Sequence, residues 1–300
     1  MLHFLPGWLK GVIATMLITL NTLIAFPFMV SIGVLKALLP IKSVSLFLTN
    51  FAIWIASRWV FLNGATLKLL HKIQWQVTGV ENLRQDEWYF VTCNHQTWAD
   101  IPILQNILYG NTPFIKFFLK KELIWVPLLG LSWWALDFPF MQRFTKEYLA
   151  KHPEMKGKDF ETTRIACEKF KYTPISVFNF LEGTRFTQEK HKRQNSPYKY
   201  LLKPKAGGAA FVIGAMGQEL KTMLDITIFY PQGKPSFWHL LTGEMKEIVA
   251  DVRQVHIPAD FAGKNYMEDV EFREAFQAWV TEIWDQKDIR LSEMHRSYPR

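Results

Sequence analysis

The first 80 residues contain no aspartate and no glutamate. Cysteine is scarce throughout the 300-residue chain, with only Cys93 and Cys167. Two cysteines build no disulfide framework and cannot supply the four thiolates of a cysteine-only zinc site. His71, His152, His191, His239, His256 and His295 are scattered without metal-ligand spacing, so no metal is expected. No internal repeat, linker or low-complexity tract interrupts the chain. With 49% hydrophobic and 21% charged residues, the composition excludes a disordered protein.

The missing acids place the net charge of +8. Lys10, Lys36, Lys42, Arg58, Lys68 and Lys72 are six of the 35 basic side chains; the other 29 nearly balance 27 acids. A nucleic-acid protein would put its excess on a soluble face. Here the excess flanks apolar stretches, as beside anionic headgroups. Membrane lipids are therefore the expected partner and nucleic acid is not.

Residues 11–35 carry no charge. As a helix they would be about 37 Å long, enough to cross a hydrocarbon core of about 30 Å. Pro27 and Gly33 are candidate kinks. Residues 43–67 are interrupted only by Arg58, and Trp54 and Trp59 suit an interfacial belt. The first run is too long for the core of a secretory signal, and no clean small-x-small site follows it. The expected organisation is a membrane-anchoring helical hairpin over residues 1–70 and a catalytic domain over 71–300. Basic residues lie both between the two runs and outside them, so charge does not choose between spanning and insertion into one leaflet.

Beyond residue 74, short β-prone runs alternate with helical patterns, which implies an α/β domain. Strands are expected over residues 75–78, 88–93, 114–118, 175–180, 224–230 and 237–241. Helices are expected over 101–108, 162–170 and 268–287, the last with Phe272, Phe276, Trp279 and Ile283 on one face. Residues 188–205 read as a loop, with Lys190, His191, Lys192 and Arg193 solvated or set against anionic lipid or CoA phosphates.

Two short strings carry chemistry. After the strand over 88–93 comes Asn94-His95-Gln96-Thr97-Trp98-Ala99-Asp100. A histidine at a strand end and an aspartate in the next helical turn can fold back on each other. The carboxylate would then fix one imidazole nitrogen and leave the other as a base. That is two members of a serine-type triad, and the natural third is a hydroxyl on the substrate. Cys93 precedes the motif on a strand, should point away from Asn94, and reads as core packing. The second string, Phe180-Leu181-Glu182-Gly183-Thr184-Arg185, follows a buried apolar run. Gly183 permits a tight turn, Arg185 is placed to grip a phosphate, and Glu182 would hold Arg185 or a substrate hydroxyl.

In this order the two strings resemble the first and third motifs of the glycerolipid acyltransferases, the family that includes lysophosphatidic acid acyltransferase. Lys121-Glu122-Leu123 with Pro127 and Gly130 is similar to that family's lysine–proline–glycine segment. Phe138-Pro139-Phe140-Met141-Gln142-Arg143 resembles its second motif, with Arg143 in the cationic role. Tyr200 to Gly207 and Leu224 to Pro231 look most like the branch that includes lysocardiolipin acyltransferase and bacterial homologues. The likeness covers roughly residues 70–245. Leu181 stands where proline is common, and residues 216–222 read as an insertion.

The resemblance implies an α/β fold with a mixed sheet flanked by helices and a hydrophobic N-terminal segment. It implies acyl transfer to a lysophospholipid, 1-acylglycerol 3-phosphate first among them. The implied donor is acyl-CoA or acyl-carrier protein, with no further cofactor. It also implies a bacterial inner membrane with the catalytic domain on the cytoplasmic side. His95 and Asp100 are the expected catalytic pair. Asn94, Lys121, Arg143, Glu182, Gly183, Thr184 and Arg185 are the expected substrate-binding residues. The rivals are a non-catalytic membrane adaptor and a thioesterase that uses water.

Overall fold

The computed structural model describes residues 2–141 and 158–298. Two long helices come first, α1 (Gly7–Leu38) and α2 (Lys42–Leu70). Both are long and apolar enough to cross a membrane by length and composition. α1 runs uninterrupted through Pro27 and Gly33. Gly33 serves contact instead, because a Cβ there would lie 2.4 Å from the Trp134 ring. A polar clasp joins the helices: the Asn21 amide donates to Asn63 Oδ1 at 2.8 Å, and the Trp59 indole to Thr22 Oγ1 at 3.0 Å. Trp59 thus faces the helix pair rather than an interfacial belt. Trp54 is exposed, as expected for a belt residue.

The domain then runs β1 (Gln74–Thr78), β2 (Trp88–Cys93), α3 (Asp100–Leu108), β3 (Ile115–Phe117), β4 (Leu119–Lys120), α4 (Leu129–Ala135), β5 (Phe140–Met141), α5 (Lys158–Phe170) and β6 (Ser176–Phe178). It continues with α6 (Gln188–Arg193), α7 (Ala206–Met216), β7 (Leu220–Phe229), α8 (Phe237–Thr242), β8 (Glu247–His256) and α9 (Val270–Ser297). Six strands form one sheet in the order β1-β8-β7-β2-β6-β3, while β4 and β5 pair separately. The β7–β8 ladder is antiparallel and the other four in the large sheet are parallel. The mixed sheet flanked by helices is therefore present.

Each face of the sheet buries its own apolar cluster. One gathers Phe170 of α5, Val212 of α7 and Phe272, Phe276 and Trp284 of α9. The other gathers Ile103 and Leu104 of α3, Leu240 of α8 and the opposite side of β2 and β7. α9 is pinned by a buried ion pair, Lys287 to Asp225 at 2.7 Å, which Arg253 shares at 2.9 Å.

Three readings of the sequence are corrected. Residues 237–241, expected as a strand, belong to helix α8. Ser236 caps it by accepting from the His239 N–H at 3.2 Å, the His239 ring reaches back to the Ser236 N–H, and Gly243 ends it in the left-handed region. Local capping outweighs the β-prone composition there. Residues 188–205 are not all loop, since Thr187 caps helix α6. Strand β8 was missed, although Ile248, Ala250 and Val252 alternate inward along it.

Candidate active site

β2, β6 and β7 are parallel neighbours, so the residues that follow them emerge at the same sheet edge. Such carboxyl-end crevices are where open α/β sheets place ligands. His95 follows β2, Glu182 and Arg185 follow β6, and Tyr230 follows β7.

The His95–Asp100 relationship takes the expected form. His95 Nδ1 lies 2.9 Å from Asp100 Oδ2. That oxygen also accepts the Gln96 N–H at 2.7 Å and the Thr97 N–H at 2.9 Å. Asp100 opens α3, where a helix N-terminus favours negative charge. It is fully buried, with every contact a donor, which is how a charge stays buried. The His95 ring stacks on Phe180, with centroids 3.7 Å apart. Phe180 brings the turn after β6 against the histidine, so the two sequence motifs meet face to face.

Glu182 does not grip Arg185. One carboxyl oxygen accepts the His95 N–H at 3.1 Å, and the other accepts the Leu202 N–H at 3.4 Å. It is buried, and burial pushes its pKa up to about 8. Its geometry is that of a strut that fixes the backbone of His95. The turn is closed by Gly183 at φ 68°, a conformation side chains resist.

Asn94, expected to bind substrate, is engaged within the protein. Its amide pairs with the Ile228 backbone both ways, donating to the carbonyl at 2.9 Å and accepting the N–H at 2.8 Å. Its neighbour His95 faces the cleft, and adjacent residues of an extended chain point to opposite sides. Asn94 therefore fastens β2 to β7, and its buried amide is unavailable to a reacting oxygen. Cys93 is buried in the core, where burial holds its thiol well above the usual range. Its sulfur nonetheless approaches Asn94 Oδ1, at 3.6 Å, rather than pointing away.

Arg185 spreads its guanidinium over the exposed Trp98 ring, 4.6 Å from the centroid. Lys190 leaves its expected place in a solvated loop: its ammonium folds back to Thr184 Oγ1 at 2.7 Å and the Arg185 carbonyl at 3.0 Å. Thr184 is thereby occupied from within the protein. Lys234 joins from the loop after β7, donating to the Phe186 carbonyl at 2.8 Å. Partial burial lowers its pKa, with the nearby Arg185 charge adding to the effect. These cations beside His95 make an anion-attracting mouth. Lys121 opens the 3₁₀ turn Lys121–Trp125, on a different element from this cluster. Arg143 lies outside the described residues.

Sequence reasoning missed Lys234 and Tyr230. The buried Tyr230 hydroxyl donates to Asp100 Oδ1 at 2.6 Å. Its pKa stands well above the usual phenol range, through burial and the adjoining carboxylate. The signal was faint: Tyr230 sits within the Leu224 to Pro231 string that carries part of the family resemblance, but nothing local points it at Asp100.

Residues 74–230 match the model of the family described as Acyltransferase. That span holds His95, Asp100, Glu182, Arg185 and Tyr230. Lysocardiolipin acyltransferase 1 of Danio rerio is 28% identical over 268 residues, covering 82% of this chain and 63% of that protein. The 2-acyl-1-lysophosphatidylinositol acyltransferase of Saccharomyces cerevisiae is 23% identical over 238 residues, covering 66% and 59%. The mouse 1-acyl-sn-glycerol-3-phosphate acyltransferase gamma is 27% identical over 198 residues, covering 63% and 47%. The chain thus spans between about half and just under two thirds of the length of these relatives. Among solved structures, the 1-acyl-sn-glycerophosphate acyltransferase of Thermotoga maritima superposes with a TM-score of 0.49 at 16% identity, covering 92% of this chain and 98% of that one. The family model covers more than half of the chain, and on that match the chain belongs to the glycerolipid acyltransferase family.

Proposed function

We propose that this chain moves a fatty acyl group from acyl-CoA or acyl-carrier protein to the free hydroxyl of a lysophospholipid, with 1-acylglycerol 3-phosphate as the first acceptor and phosphatidic acid as product. Lysophosphatidylglycerol and lysocardiolipin are the alternative acceptors; the relatedness to a lysocardiolipin acyltransferase supports the second. The observation that carries the reading is the His95–Asp100 contact beside a cationic mouth.

In this mechanism His95 Nε2 takes the proton of the acceptor hydroxyl as its oxygen attacks the thioester carbonyl. Asp100 holds the imidazole and stabilises the imidazolium. The tetrahedral intermediate collapses, the carbon–sulfur bond breaks, and the proton passes from His95 to the departing thiolate. The step needs no acyl-enzyme, and the buried, weakly acidic Cys93 offers no nucleophile. Asn94 is committed to Ile228, so other donors serve the oxyanion. Arg185, with Lys234 near it, binds the acceptor's phosphate.

We also infer that α1 and α2 lie in the plane of one leaflet. Three features support this. Trp8, Met16, Leu20, Ile24 and Phe28 form one exposed apolar stripe along α1. Gly11 packs on Trp238 of α8, and Gly33 packs on Trp134 of α4. Those contacts are 22 residues apart, about 33 Å along the helix. A spanning α1 would pull the domain through the bilayer, where its loops could not be solvated. A bacterial inner membrane with the domain on the cytoplasmic side remains the favoured setting. Pro40→Cys and Lys72→Cys should be labelled from the same side of sealed vesicles, and opposite sides would refute the in-plane placement.

The reaction is tested with purified protein, labelled acyl-CoA and a panel of lysophospholipids, with products resolved by mass. Diacyl product is expected; free fatty acid would mean a hydrolase, and neither would mean an adaptor. His95→Ala should slow transfer by about 10²–10⁴-fold while the protein stays folded and membrane-bound.

A further inference from the structure

A groove of about 480 Å³ opens on the far side of the sheet from His95. Gln85 enters it ahead of β2, Phe114 ahead of β3 and Thr173 ahead of β6, so it follows the amino ends of strands whose carboxyl ends carry the candidate active site. Six-residue β2 lies between the two places, about 20 Å at roughly 3.3 Å per residue. The other wall is α2, which contributes Trp54 and Arg58.

Arg58 is the one charge in the apolar run over residues 43–67. Its guanidinium lies 5.6 Å from the centroid of the Trp54 ring, which in turn stacks on Phe51 at 5.8 Å. Among the described residues, no aspartate or glutamate lines the groove. Past a ring pair made by Phe61 and Tyr109, a second hollow continues along the same helix, lined by Lys68 and, among the described residues, again by no acid. A cation in an apolar, membrane-facing helix is costly, and it persists where it meets an anionic group or water. Here its neighbours are apolar rings exposed on one side and an acid-free polar groove on the other.

We propose that this groove binds an anionic phospholipid of the supporting bilayer, with the lipid phosphate on Arg58 and the upper acyl chain against Trp54 and Phe51. The positive groove is complementary to a phosphate, and its rim is continuous with the exposed apolar face of α2, where Phe47, Phe51, Trp54 and Phe61 stand out. Free anions and acidic proteins would gain nothing from that apolar rim. The lipid is not the acceptor, because the strands separate it from His95. The proposal rests on the in-plane placement of the hairpin, but its test reads binding alone, independent of turnover and of the labelling experiment.

The whole 300-residue chain in neutral detergent is titrated with dihexanoyl-phosphatidylglycerol and with dihexanoyl-phosphatidylcholine. The anionic lipid should bind at least tenfold more tightly. Arg58→Gln should erase that preference, whereas Lys72→Gln, which loses the same charge outside the groove, should keep it. Gln105→Trp, which fills the groove and removes no charge, should weaken binding at least tenfold and stands in if Arg58→Gln does not fold. Equal affinity for the two lipids overturns the proposal. So does equal loss in Arg58→Gln and Lys72→Gln, which would mean diffuse charge attraction. Competition by inorganic phosphate or by an oligoglutamate peptide at concentrations matching the lipid would make this a site for a free anion or an acidic protein, and would overturn it as well.

Discussion

Tyr230 and Asp100 are 130 positions apart in the chain, yet the tyrosine hydroxyl donates to Asp100 Oδ1 at 2.6 Å in a fully buried setting. The other carboxylate oxygen faces His95. The tyrosine thus fixes the carboxylate from behind and shares its charge. A hydrogen bond to a charged group contributes about 1.5–3 kcal/mol. Tyr230→Phe should leave Asp100 with its charge less dispersed and its orientation looser. The expected result is a fall in kcat of about tenfold, equivalent to about 1.4 kcal/mol, with KM for the acceptor unchanged. The stronger residual charge on Asp100 should also hold the imidazolium more tightly, so the acid limb of the kcat/KM profile moves to higher pH. A residue that only packs would lower stability without moving that limb.

Glu182 gives a pH test of a different kind. Burial raises its pKa from the ordinary carboxylate value to about 8. In the unfolded chain the group loses its proton near pH 4.5; in the folded chain it keeps it to about pH 8. The folded state therefore binds more protons across that window, and stability falls as pH rises through it. Glu182→Gln removes the titration. Thermal melts of wild type and Glu182→Gln between pH 5 and pH 8 should show a downward slope in wild type that the variant lacks. Parallel slopes would mean that Glu182 is already ionised when folded.

These two residues also show what can be read from the sequence. His95 and Asp100 were legible because five residues at a strand-to-helix junction define their own geometry. β2 and α3 were legible because each is a bounded apolar run. Tyr230 was not, because its partner comes from another strand. For Asn94, the resemblance implied a substrate contact, and its pairing with the backbone of Ile228 on another strand is as little announced by the local sequence. At α8, composition suggested a strand, and a capping box with a left-handed glycine decided for a helix. The partners that Glu182 has within the protein are the backbone groups of His95 and Leu202, which no side-chain motif announces.

Arg185 sits over Trp98, 4.6 Å from the ring centroid, and its guanidinium carries forked donors that a bare positive charge would not replace. Lysine lacks that fork. Arg185→Ala should raise KM for a phosphate-bearing acceptor by tenfold or more, on the order of 1.4 kcal/mol, with kcat far less affected. Arg185→Lys should recover only part of that loss. Trp98→Leu should raise KM about two- to fivefold, since an exposed cation–π contact contributes about 0.5–1 kcal/mol. If Arg185→Lys matched wild type, the forked guanidinium would have no part in binding.

The docking of α1 on the domain can be tested at Gly33. A Cβ there would sit 2.4 Å from Cζ3 of the partly exposed Trp134 ring and 3.1 Å from the Cβ of the buried Ala135. Lys36, one helical turn on, pairs with Asp137 and donates to the Ala135 carbonyl at 3.0 Å, so α1 is not free to move aside there. Gly33→Leu should overpack this contact and destabilise by about 1–3 kcal/mol. The melting temperature should fall by about 2–4 °C for each kcal/mol. Ser31→Leu, on the exposed side of the same helix, should change it little. Adding Trp134→Ala to Gly33→Leu should restore much of the loss, because it opens the space the leucine needs; a double variant no more stable than Gly33→Leu would mean that α1 does not rest on α4 and would remove one of the two contacts behind the in-plane placement.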